Sequence, residues 1–184
     1  MLTEFKWSRI KVVAGLGNPG AAYRYTRHNA GMEALYALTE NAPLSKFATP
    51  PKKRFSFLRH GTHVFVAPTT FMNESGGAVT EALRYFRIKN HEELLLLHDD
   101  ADLPVGACRL QFGRGAAGHH GVQSVITSFG TKDFWRLRIG VRPATPRARG
   151  RAKAGDFVLR PMTASERDII KKTAESVIRS SDTA

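Results

Sequence analysis

Residues 93–100, ELLLLHDD, restrict the fold of this chain more than any other stretch. A strand with no polar alternation has no face to offer water, so both of its faces must be covered. Helices packed on either side of a mostly parallel sheet provide that cover, and the flanking segments alternate accordingly. RIKVVAGLG (9–17) reads as a buried strand ending in a glycine turn. From Ala30, AGMEALYALTEN sets Met32, Leu35, Tyr36 and Leu38 on one helical stripe. RFSFLRHGTHVFVAP predicts a hairpin around Gly61-Thr62. SGGAVTEALRYFRI predicts a helix with Val79, Ala82, Leu83 and Phe86 inward and Ser75 as its N-cap. ACRLQFG and FWRLRIGVR are further strands, VQSVITSF is a helix, and Thr163 to about Ser180 forms an amphipathic C-terminal helix. With no internal repeat and no interior linker, the expectation is a single α/β domain over residues 1–184. It has three layers, a twisted, mixed and mostly parallel sheet flanked by helices.

Charge narrows the class of partner. The 184 residues hold 28 Lys plus Arg against 16 Asp plus Glu, a formal net charge of +12, which points to a polyanion and first to nucleic acid. RPATPRARGRAKAGD (142–156) concentrates Arg142, Arg147, Arg149, Arg151 and Lys153 among prolines and glycines, and reads as a mobile basic loop. Cys108 is the only cysteine, which excludes an internal disulfide and suits a reducing compartment. No apolar run approaches the roughly 20 residues of a membrane span, and MLTEFKWSRIKVV lacks a signal-peptide core. A cytoplasmic protein is expected.

Gly15-Leu16-Gly17-Asn18-Pro19-Gly20 matches the dinucleotide fingerprint G-x-G-x-x-G, but its surroundings do not. Pro19 removes an N–H donor, Asn-Pro-Gly is turn chemistry, and the next helix begins only near Asn29. The glycines turn the chain at a strand's carboxyl end, where open α/β sheets place ligands. The loop that follows carries Asn18, Tyr23, Arg27, His28 and Asn29. Asp99, at the end of the apolar strand, lies at the same edge and can orient His28 as a base toward water. Asp99, Asp100 and Asp102 would also suit a solvated turn or a metal. No histidine pair has ligand spacing with a carboxylate on a helix, and Cys108 is alone, so no metal is expected. No serine occupies a G-x-S-x-G elbow.

GLGNPGxxYxxTRHNAG, TFMNxSG, HDDADLPVG, GHHGVQS and RLRIGV, in this order, resemble the bacterial-type peptidyl-tRNA hydrolase family over roughly residues 9–160. The resemblance implies hydrolysis of the ester between a peptide and the 3′ ribose of tRNA, which recycles tRNA, without metal or cofactor. It implies His28 as the residue that activates water and Asp99 as the group that orients it. Asn18, Tyr23, Phe71, Asn73, His119 and His120 would then bind substrate, and Arg138 would hold tRNA phosphate. Peptidyl-tRNA is the implied partner of a monomer with no obligate protein partner. In two places the chain departs from the family pattern. The usual G-H-N-G is Gly118-His119-His120-Gly121, and a lysine of the phosphate clamp is Gln111, for which Arg109 or the basic loop would compensate. The family also includes RNA-binding members that act in splicing, so a non-catalytic RNA-binding relative is the alternative.

Overall fold

A computed structural model describes residues 4–143 and 154–181. Its six strands are β1 (Val12–Gly15), β2 (Phe55–His60), β3 (His63–Pro68), β4 (Leu94–Pro104), β5 (Cys108–Phe112) and β6 (Trp135–Arg142). They form one sheet in the order β2-β3-β1-β4-β6-β5. The pairs β1–β3, β1–β4 and β4–β6 are parallel, and antiparallel β2 and β5 close the two edges. Among the described residues five helices accompany them: α1 (Ala30–Leu38), α2 (Ser75–Tyr85), α3 (His120–Phe129), α4 (Ala154–Val158) and α5 (Ala164–Ser180).

The apolar run behaves as its composition requires. Leu94 to Leu97 are fully buried, and their side chains alternate between two cores. Leu95 and Leu97 join Met32 and Leu35 of α1 and Ile170, Ala174 and Ile178 of α5. Leu94 and Leu96 join Val79 and Leu83 of α2 and Val122 and Val125 of α3. Each such leucine contributes about 1.5–3 kcal/mol by leaving water. The result is a helix–sheet–helix sandwich with β1 and β4 at its centre.

Glycine permits the close contact that brings α1 to the sheet's carboxyl edge. A Cβ on Gly31 would collide with the Leu97 carbonyl oxygen and stand 2.7 Å from that of Leu16. Without a side chain there, the start of α1 presses onto the end of β1 and the middle of β4, which sets His28 beside Asp99. The segment before α1 is anchored from the far end of the chain. Buried Arg27 donates to the Val141 carbonyl at 2.7 Å and to Glu166 of α5 at 2.9 Å. Glu166 also completes a capping box with Thr163 at the start of α5.

Several expectations need correction. Trp7–Arg9 form a 3-10 turn, so β1 runs Val12–Gly15 and not from Arg9. Ser75 is the first residue of α2 rather than its N-cap; it is fully buried, and the hydroxyl makes no hydrogen bond. β4 continues past Asp100 to Pro104 because β6 still offers it a partner at Arg142. Both ends of the stretch 142–156 depart from the expected loop: Arg142 belongs to β6, and Ala154–Val158 are helical with Phe157 buried in the core. Residues 144–153, with Arg147, Arg149, Arg151 and Lys153, lie outside the described residues.

Candidate active site

The site is built just beyond the carboxyl end of β1 and against the middle of β4, around Asp99. His28 arrives in a 3-10 turn, Arg27–Asn29, that runs directly into α1. Its Nδ1 lies 2.8 Å from Asp99 Oδ1, and His119 Nε2 lies 2.8 Å from the same oxygen. The hydrogen-bond pattern assigns the tautomers. His119 Nδ1 accepts the N–H groups of Gly121 at 3.1 Å and Val122 at 3.2 Å, capping α3, so its proton is on Nε2 and is donated to Asp99. Asp99 Oδ1 also accepts the proton of His28 Nδ1, which leaves His28 Nε2 with a free lone pair.

Asp99 is buried, and burial alone would raise its carboxyl pKa. Close contact with His119 and the hydrogen bonds from both imidazoles overcome that penalty and hold it well below the ordinary carboxylate range. It is therefore a fixed negative charge. The atoms of His28, Asp99 and His119 are near enough to one another to suggest a metal set. However, a 2.8 Å separation between each nitrogen and one carboxylate oxygen is the length of a charge-assisted N–H···O bond.

Of the residues expected to grip substrate, Asn18 has a partly structural task. Its Oδ1 accepts the Met72 N–H at 2.7 Å, and its backbone is stapled on both sides by the side chain of buried Asn29. This Asn29 staple, together with a 3-10 turn at Ala21–Tyr23, occupies the place where a dinucleotide site would open its helix. Tyr23 packs edge-on against Phe71 with ring centroids 6.1 Å apart, and Phe71 is half exposed. Asn73 stands exposed beside them in the turn Met72–Glu74. His120 is exposed at the first residue of α3, whereas His119 is turned inward to Asp99. Among the sequence-predicted residues, the structure brings His28, Asp99 and His119 into direct contact.

A cavity of about 590 Å³ opens beside this cluster and is lined by His28, Asp99, His119, His120 and Arg138 among others. Arg138 donates to Asp100 at 2.6 Å and to Gln111 at 3.0 Å. Arg109 is paired opposite Arg138 on the β5–β6 ladder, yet is exposed and outside the cavity lining. Three lining residues were missed from sequence: His98, Arg136 and Arg114. His98 donates Nδ1–H to the Asp99 carbonyl at 2.8 Å; burial first, then His119 and Arg136, push its pKa well below the ordinary imidazole range. Position 136 alternates with Leu137 and pairs opposite Gln111, so strand periodicity could have placed it on the polar face. A second cavity, about 710 Å³, lies across the Asn18 loop and is lined by Tyr25, Met32, Tyr36 and Leu44.

The peptidyl-tRNA hydrolase family profile matches residues 12–183. A peptidyl-tRNA hydrolase of Sorangium cellulosum is 39% identical over 181 residues, covering 91% of this chain and 76% of that protein. One from Thiobacillus denitrificans is 38% identical over 171 residues, covering 91% and 80% respectively. The crystal structure of peptidyl-tRNA hydrolase from Acinetobacter baumannii is similar with a TM-score of 0.77 and 27% identity, covering 97% of this chain and 89% of that one.

Proposed function

This chain belongs to the peptidyl-tRNA hydrolase family and hydrolyses peptidyl-tRNA, and we propose that His28 is the base of that reaction and Asp99 its positioning residue. The single observation that carries the assignment is the buried 2.8 Å bond from His28 Nδ1 to Asp99. With that bond made, Nε2 takes a proton from a water as its oxygen bonds to the ester carbonyl carbon. The carbonyl π pair moves onto oxygen, and polar N–H groups stabilise it there. When the intermediate collapses, the ester C–O bond breaks toward the ribose, and the proton held on Nε2 passes to that oxygen. Free peptide and tRNA leave, and His28 is again neutral.

His119 supports this from the other side. Its N–H shares Asp99 with His28 and keeps the carboxylate from turning away. The free amide nitrogen of Asn18 and the exposed amide of Asn73 are assigned to the peptide, with Tyr23 and Phe71 as its apolar wall. His120 can donate or accept one hydrogen bond at the mouth of the cavity. Arg138 and Arg109 are assigned to tRNA phosphate. No helix among the described residues is long and apolar enough to cross a membrane. A monomer in the cytoplasm without an obligate protein partner completes the proposal; sedimentation at working concentration tests the monomer.

The experiment is release of free tRNA from an N-blocked aminoacyl-tRNA, wild type beside His28→Ala, in EDTA. The variant should lose about 10² to 10⁴ in rate, the usual share of a general base, and still bind tRNA. Comparable turnover by the variant would remove His28 from the mechanism. Binding by both proteins with turnover by neither would instead favour the RNA-binding alternative.

A further inference from the structure

The catalytic cavity carries more positive charge than the reaction at His28 requires. Arg114, Arg136 and Arg138 all line it. Arg138 is already matched by Asp100 and Gln111. Asp99 is committed to two histidines, and Asp102 is exposed at the rim. Arg136 is different: only 2% exposed, it donates Nη1–H to the Gly115 carbonyl at 3.0 Å, while its Nε–H has no partner among the described residues. No carboxylate is paired with it among the described residues. A buried guanidinium without a counter-charge is costly. Burial, and after it the fields of Arg138 and Arg114, lower its pKa to about 10, with Asp100 opposing weakly. His98 adds a second buried nitrogen, Nε2, with no hydrogen bond. Exposed Arg114, in the glycine-rich loop above, makes no hydrogen bond among the described residues and lies close enough to repel Arg136.

From this juxtaposition we infer that Arg114 and Arg136 form a seat for one phosphate, that of the 3′-terminal nucleotide of the substrate. The inference rests on the peptidyl-tRNA reading of the same cavity. Connectivity selects this phosphate. For His28 to reach an ester on the terminal ribose, that ribose must enter the cavity, and the phosphate on its 5′ carbon follows by covalent attachment. Guanidinium forks match phosphate oxygens in geometry and charge. An incoming oxyanion would give Arg136 the counter-charge it lacks and relieve its repulsion from Arg114.

The test titrates 5′-AMP, adenosine and inorganic phosphate into wild type and Arg114→Gln by calorimetry, with turnover of N-blocked aminoacyl-tRNA measured on the same preparations. Arg114 is exposed, so its replacement should leave the fold intact. AMP should bind wild type about tenfold or more tightly than adenosine, the increment of one charge-assisted hydrogen bond. In Arg114→Gln most of that preference should vanish while adenosine affinity is unchanged. Equal affinities in wild type, or a preference untouched by Arg114→Gln, overturn the seat. Inorganic phosphate binding as tightly as AMP, with the same dependence on Arg114, overturns its assignment to the nucleotide. A protein that turns over substrate but shows no preference keeps its activity and loses the seat; one that prefers AMP but releases no tRNA keeps the seat and loses the role of His28.

Discussion

At the scale of single residues, burial decides what pH does to His98. His98 is neutral in the folded chain because its imidazole is buried beside Arg136. Above about pH 6.5 the unfolded chain is neutral there too, and the residue makes no pH-dependent contribution. Below it the unfolded chain binds a proton that the folded chain refuses, so stability falls with falling pH by up to about 1.4 kcal/mol per unit, until the folded pKa is reached. Urea unfolding between pH 7 and 5 should show that slope, and His98→Gln should flatten it; an equal slope in both proteins would place the acid sensitivity elsewhere. Much of this detail was hidden in the sequence. His28 and Asp99 could be paired because both read as lying at strand carboxyl edges. That His119 would cap a helix with one nitrogen and hold Asp99 with the other depends on where α3 starts. No periodicity encodes that start, since Gly118 at φ +82° turns the chain just before it.

At the scale of elements, the C-terminal helix carries two tasks that substitution can separate. Thr163→Ala removes one half of the capping box and should cost about 1 kcal/mol. Glu166→Ala removes the other half and also strands Arg27, which is 6% exposed, without its counter-charge. That loss should reach about 3–5 kcal/mol. It should also lower activity, because Arg27 adjoins His28. Thermal denaturation with parallel rate measurements checks both; equal costs would show that the ion pair contributes nothing. The helices themselves were readable, since Met32, Leu35, Val79, Ala82 and Leu83 fall at helical spacing and are buried as read. Their ends were less so. Alternation cannot announce that Arg142 will pair with Pro104, or that Ala154–Val158 are helical.

At the scale of the whole molecule, the net charge of +12 makes encounter with tRNA an ionic process. Each phosphate contact releases counterions, so log affinity should fall linearly with log salt. Neutralising Arg147, Arg149 and Arg151 together should lower tRNA affinity and the steepness of that line in filter binding; an unchanged slope would make the loop a bystander. The anchoring of Arg27 has a consequence of another kind, in the order of synthesis. The TRHNAG stretch leaves the ribosome early, but among the described residues the acceptors of its guanidinium are Val141 and Glu166. Chain growth at about 5–20 residues per second separates Arg27 from Glu166 by roughly 7 to 28 seconds. Through that interval the nascent sheet lacks the clamp beside its base, so competence arrives with the last helix.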